Sequence, residues 1–128
     1  MTKYLRFMRH GQTELNVRNC WQGHTDAPLT ELGRRQSAES GLHLHESDIQ
    51  LDHVFCSPLG RARETLEIAL PGIAERGYEL VDGLMEMSFS SLDGTVNSDN
   101  VVGPYHDYFL QFARELVLVV LIEGYLDF

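Results

Sequence analysis

Cysteine is scarce in this sequence. Cys20 and Cys56 are the only two among 128 residues. Two thiols with no CxxC pair give neither a disulfide framework nor a thiolate zinc site. Reduced thiols are the default of a cytoplasmic protein, and that is the expected location. Long apolar runs are missing too. The longest, Leu116–Ile122, has seven residues, far below the roughly 20 that a helix needs to span a bilayer. Arg6 and Arg9 interrupt the first ten residues, so they do not read as a signal peptide. No membrane partner is expected.

Positive charge is the third scarcity. Ten Lys and Arg face 19 Asp and Glu, a net charge of −9. A nucleic-acid binder needs a basic footprint that this chain lacks, so no nucleic-acid partner is expected. The few cations are unevenly placed. Residues 1–76 hold nine basic groups against ten acidic ones. Residues 77–128 hold only Arg114 against nine acidic groups, a local balance of −8. All but Lys3 are arginines. Arginine offers a planar fork suited to phosphate and carboxylate oxygens, although biased codon usage gives the same ratio.

What is present describes a folded chain. It is 43% hydrophobic and 23% charged, and its length suits one domain over residues 1–128 with one core. Tyr4–Met8 reads as a strand that stops at Arg9-His10-Gly11. Thr30 is placed as a helix N-cap with Glu31 in the first turn, and the helix is predicted to run to about His45 with Leu32 and Leu42 in the core. Gly33 and Gly41 count against it on propensity. Asp52–Cys56 reads as a second strand. Ser57-Pro58 gives an N-cap and a first-position proline for a helix to about Leu70, with Leu59, Ala62, Leu66 and Ala69 or Leu70 on one face. Tyr78–Val81 is a third strand. A polar loop over about 88–103, a helix over 104–114 and a buried strand over 116–122 complete the prediction.

Strands and helices alternate, which argues for a parallel sheet covered on both faces. In such sheets ligands bind beyond the carboxyl ends of the strands. Arg9 and His10 follow strand one, Ser57 and Arg61 follow strand two, and Glu86 follows strand three. Two arginines around one point make a dianion site. A histidine between two fixed cations is pushed toward its neutral, nucleophilic form. A carboxyl group such as Glu86 could protonate a departing alkoxide. With the arginines supplying the charge, no metal is needed. Taken singly, each residue has a plainer reading: a structural histidine, a solvated arginine beside Arg63, a surface acid.

Together the segments resemble a known family. Leu5-Arg6-Phe7-Met8-Arg9-His10-Gly11-Gln12-Thr13-Glu14-Leu15-Asn16 is similar to the N-terminal signature of the histidine phosphatase superfamily, the phosphoglycerate mutase-like family. Gln22-Gly23 with Asp26, Pro28-Leu29-Thr30 and Gly33 resembles its substrate loop. Ser57-Pro58-Leu59-Gly60-Arg61-Ala62 with Thr65 resembles its second arginine motif. Leu84–Phe89 with Leu92-Asp93-Gly94 resembles its acidic motif. The resemblance covers residue 4 to about residue 112. It implies a three-layer α/β/α sandwich with a mostly parallel sheet. It also implies that His10 is the phosphohistidine nucleophile, that Arg9 and Arg61 are phosphate-pocket arginines, and that Asn16 is a polar phosphate contact. Glu86 becomes the proton donor, and Gln22 and Gly23 face the substrate.

The family pocket also holds a second histidine in a His-Gly context after a late apolar strand. Here Leu121-Ile122-Glu123-Gly124 stands in its place, and the last histidine is His106. The C-terminal part of the fold therefore reads as incomplete. A degenerate relative, a frameshift or internal deletion, and omitted segments all fit. Loss of one such donor typically costs on the order of 10²–10³ in turnover.

Three functions follow. One is a phosphomonoester hydrolase acting through phosphohistidine on a small phosphorylated metabolite, with no cofactor. The second is a phosphoglycerate mutase, which alone would need a bisphosphoglycerate primer. The third is a non-catalytic phosphate binder. The acidic second half disfavours the mutase. His43, His45 and His53 do not share a helical face and make a poor metal site. Trp21 suits the substrate mouth or the core equally. Tyr105, Tyr108, Phe109 and Phe112 read as packing. Nothing in the sequence indicates an oligomeric state.

Overall fold

The computed structural model describes residues 4–88, 90–96 and, as strand backbone, 119–123. The predicted helix over 104–114, its aromatic stripe and His106 lie outside the described residues. The elements in chain order are β1 (Tyr4–Met8), α1 (Glu14–Val17), α2 (Glu31–Glu46), β2 (Leu51–Cys56), α3 (Gly60–Ala69), α4 (Ile73–Arg76), β3 (Glu79–Leu80) and β4 (Val119–Glu123). Short 3₁₀ turns cover Asp82–Leu84 and Ser90–Leu92.

The four strands form one sheet in the order β1-β4-β2-β3. β2 and β3 pair in parallel, and β4 is antiparallel to both β1 and β2. β1, β2 and β3 thus share one direction, in an α/β arrangement. Met8 and Cys56, the last residues of β1 and β2, both pair with Val119. Leu80, the last of β3, pairs with Cys56. The carboxyl ends of the three strands therefore lie along one edge. β4 starts at that edge and ends at the other, where Glu123 faces Tyr4 and Leu51.

The helix at Thr30 forms as predicted. Its side chain accepts from the Gly33 N–H at 3.0 Å, satisfying one of the donors that a helix start leaves open. Its buried face corrects the sequence reading. Leu32 and Leu42 are exposed, and the buried stripe is Gly33, Ser37 and Gly41. A Cβ at Gly41 would overlap the Ala69 carbonyl of α3, and one at Gly33 would overlap the Gln12 carbonyl. These glycines cost helix propensity but let two backbones touch. Ser37 bonds the Gly33 carbonyl at 2.8 Å, so its buried hydroxyl is satisfied.

The start of α3 is a second correction. Ser57 and Pro58 lie outside the helix, which begins at Gly60. Its cap comes from Asp26, whose carboxylate accepts the backbone N–H groups of Gly60 and of Arg61 (3.2 Å). An anion at a helix N-terminus meets both the open N–H groups and the positive end of the dipole. The predicted third strand shortens to Glu79–Leu80. The core joins sheet and helix through Met8, Val54, Cys56, Ala62, Leu66, Ala69 and Ile73. Full burial of a side chain such as Leu66 contributes about 2–3 kcal/mol.

Candidate active site

Four loops meet at the carboxyl edge of the sheet. His10 comes two residues after the end of β1 and is buried. Its Nδ1 lies 2.7 Å from the Gly11 carbonyl. A carbonyl can only accept, so Nδ1 carries the proton and Nε2 keeps its lone pair. Burial is the main reason the imidazole pKa falls to about 4, and the charges of Arg61 and Arg9 lower it further. Against these stand the Gly11 hydrogen bond and Asp26, which raise it. The ring is neutral at pH 7.

Arg61 sits on the first turn of α3, only 1% exposed. Its Nη2 donates to the Gly23 carbonyl at 2.8 Å, and its Nη1 donates to the Thr25 carbonyl at 3.2 Å and to Asp26 Oδ1 at 3.4 Å. Burial disfavours its charge, and the carboxylates of Asp26, Glu86 and Asp93 favour it. A guanidinium stays protonated in such surroundings.

Glu86 follows β3 and is also buried. Burial raises its carboxyl pKa, while Arg61, the Met87 N–H, Arg9 and His24 pull it down. Two buried polar atoms have no hydrogen-bond partner among the described residues at this edge, Arg61 Nε and Glu86 Oε1. Buried groups normally find partners. A donor and an acceptor thus stand open at this edge among the described residues.

The other residues named from sequence take varied places. Arg9 is exposed, yet its charge acts on both His10 and Glu86. Asn16 closes a capping box on α1. Its Oδ1 accepts the Thr13 N–H at 2.9 Å, and its own N–H donates to Thr13 Oγ1 at 3.2 Å. The buried Thr13 hydroxyl donates to Gln22 Oε1 at 2.7 Å, which fixes Gln22 beside the same loop. Asn16 and Gln22 are thus tied to each other through Thr13 rather than to His10. Gly23 has φ +51°, and a Cβ there would overlap the Asp93 carboxylate. Its carbonyl is free to hold Arg61 only because this turn is possible.

Sequence reasoning gave no role to Thr13, Asp26, Thr65 or Asp93. Asp93 accepts the His24 N–H at 3.1 Å and the Ser88 hydroxyl at 3.2 Å, and so braces the substrate loop. Thr65 accepts the Gly11 N–H at 3.0 Å and donates to the Arg61 carbonyl at 2.8 Å. All four lie in the quoted segments, but Asp26, Thr65 and Asp93 act through partners 35, 54 and 69 residues away, which no local pattern shows. Two larger cavities, about 890 Å³ between β1 and α2 and about 750 Å³ between α2 and the α3–α4 corner, contain none of His10, Arg61 and Glu86. Among the described residues no group of three or more His, Cys, Asp or Glu could hold a metal ion. No helix there is long and apolar enough to cross a membrane.

Comparison with known proteins gives a consistent picture. The family model for the histidine phosphatase superfamily (branch 1) matches residues 5–116. A 2,3-bisphosphoglycerate-dependent phosphoglycerate mutase of Allorhizobium ampelinum is 35% identical over 102 residues, 78% of this chain and 48% of the relative. The enzyme of that name from Bartonella henselae is 34% identical over 126 residues, 97% of this chain and 61% of the relative. Among solved structures, phosphoserine phosphatase of Entamoeba histolytica in complex with 3-phosphoglyceric acid superposes with TM-score 0.69 at 29% identity. The match covers 87% of this chain and 53% of that one. Phosphoglycerate mutase of Bacillus anthracis gives TM-score 0.65 at 30% identity, covering 73% and 42%. The chain spans about half the length of the curated relatives it matches.

Proposed function

This chain belongs to the histidine phosphatase superfamily, and on that premise we propose that it carries the nucleophile and phosphate pocket of a phosphomonoester hydrolase acting on a small phosphorylated metabolite. The observation that carries the reading is the pairing of a neutral, buried His10, whose Nδ1 holds the proton and whose Nε2 keeps its lone pair, with a fully buried Arg61 whose Nε has no partner among the described residues.

The steps follow from these groups. Arg61 Nε–H and the charge of Arg9 hold the phosphate dianion. The Nε2 lone pair of His10 forms a bond to phosphorus, and the ester P–O bond breaks with its electron pair going to the alkoxide. Glu86 supports that departure by giving up its proton, which is why a carboxyl raised by burial suits it. Water then attacks phosphorus and yields a proton to the Glu86 carboxylate. The N–P bond breaks, His10 is restored, and inorganic phosphate leaves. The cations balance charge on the non-bridging oxygens in both steps. No metal and no cofactor enters this scheme.

A mutase reading is favoured by the names of the curated relatives. It would use the same residues, with a bisphosphoglycerate primer and a phosphoglycerate as acceptor in place of water. The sequence bears on both readings. Leu121-Ile122-Glu123-Gly124 carries no second histidine, and loss of one such donor slows turnover by on the order of 10²–10³. Single-turnover transfer is therefore the sensitive test. Mixing the protein with p-nitrophenyl phosphate should release nitrophenolate and leave acid-labile phosphate on the chain. His10→Ala should reduce both by on the order of 10³ or more. Interconversion of phosphoglycerates in the presence of bisphosphoglycerate would favour the mutase. Release unchanged by His10→Ala would refute both.

A further inference from the structure

We propose that Thr65 is a positioning residue that sets the nucleophile against the phosphate arginine, an inference that rests on the reading of His10 and Arg61 given above. Its hydroxyl is fully buried on α3, four residues after Arg61. It faces two segments at once. The proton goes to the Arg61 carbonyl at 2.8 Å, and a lone pair takes the Gly11 N–H at 3.0 Å. Gly11 is consequently gripped at both ends, since its carbonyl accepts the His10 Nδ1–H at 2.7 Å. One chain of three hydrogen bonds thus runs from the imidazole through Gly11 and Thr65 to the backbone of Arg61. It joins residues that stand 51 positions apart in sequence.

The chemistry makes this link more than packing. In-line transfer needs Nε2 aimed at the phosphorus that Arg61 holds. The Arg61 guanidinium is fixed independently, through Gly23, Thr25 and Asp26. No bond from that set reaches His10. Thr65 supplies the connection from α3 back to the β1 loop, so losing it should leave the phosphate site standing and let the imidazole drift. Displacement of a reacting group by about 1 Å can cost on the order of 10²-fold in rate.

The test compares Thr65→Val, which keeps the shape and removes the hydroxyl, with Thr65→Ser, which restores the hydroxyl alone. Inorganic phosphate affinity, the single-turnover rate with p-nitrophenyl phosphate and the ¹⁵N NMR signature of the His10 tautomer are measured for each. For Thr65→Val, phosphate binding should hold within about threefold while the rate falls by about 10–100-fold. Its His10 ring should lose the single Nδ1–H tautomer. Thr65→Ser should recover both. A Thr65→Val protein with the wild-type rate and tautomer overturns the proposal. So does a Thr65→Ser protein as impaired as Thr65→Val, or phosphate affinity that falls in step with rate. If the wild type transfers no phosphate to His10, the functional reading fails, and the tautomer comparison still decides the role of Thr65. If Thr65→Val does not fold, the Thr65→Ser rate and tautomer decide it.

Discussion

The carboxyl edge of the sheet and the β1 strand that leads into it treat burial in opposite ways. At the edge, His10, Thr13, Ser57, Arg61, Thr65 and Glu86 are buried. On β1, Tyr4, Leu5 and Phe7 are 51%, 60% and 59% exposed. Hydropathy alone would place the two sets the other way round. The difference lies in pairing. Most of these polar groups find partners, some nearby, as His10 does with Gly11, and some on a distant segment, as Arg61 does with Gly23 and Thr65 does with Gly11, while Arg61 Nε and Glu86 Oε1 have none among the described residues. Burying a satisfied polar group costs little, whereas an unpaired one costs about 1–3 kcal/mol. β1, in contrast, is held by its backbone ladder to β4. Burial in this molecule follows hydrogen-bond complement at the site and strand pairing at β1.

Breaking the pairing at the edge should have the largest consequence. Arg61→Met removes the buried cation and leaves the Gly23 and Thr25 carbonyls without their donor. Phosphate binding and His10-dependent transfer should each fall by on the order of 10²–10³-fold. Isothermal titration with inorganic phosphate and single-turnover rates check this, and retained binding would mean that Arg9 carries the phosphate by itself.

A second experiment measures what burying His10 costs. Its pKa falls from 6.5 to about 4 in the folded chain. Between those values the unfolded chain takes up a proton that the folded chain refuses. Stability present above pH 6.5 is therefore lost as the pH falls toward 4, by about 3 kcal/mol in all. Urea unfolding at pH 7.5 and pH 4.5 should show this loss, and His10→Gln should remove that share of it. Equal pH dependence in both proteins would contradict the burial of the ring.

The smallest effect belongs to the exposed strand. Phe7→Thr keeps β propensity and removes apolar surface that is already in water. Its cost should stay within about 0.5 kcal/mol. A loss several times larger, read by the same unfolding experiment, would show that β1 is covered in solution and would dissolve the contrast.

The same contrast explains what the sequence made legible. Thr30 as a cap was readable because its partner, Gly33, is three residues away. The buried stripe of α2 was not, because hydrophobic periodicity is blind to a contact face of Gly33, Ser37 and Gly41. Ser57-Pro58 carried a local helix-start signal, yet Asp26, some 34 residues earlier, supplies the cap of α3. For the candidate site, His10, Arg61 and Glu86 could be named from motif and strand end, and the structure buries all three at one edge. The bonds through Thr65, Asp26 and Asp93 could not, because they exist only once distant loops meet. The direction of β4 was equally hidden, since a run of aliphatic residues reads the same both ways.

That direction has a practical consequence for anyone rebuilding this pocket. Val119 lies level with Met8 and Cys56, one step from Arg9 and Ser57. Glu123 lies four residues further along, roughly 13 Å away at strand rise. A second imidazole grafted at Glu123 would stand at the end of the ladder opposite His10. An engineer would have to introduce it where β4 begins, or reverse the strand.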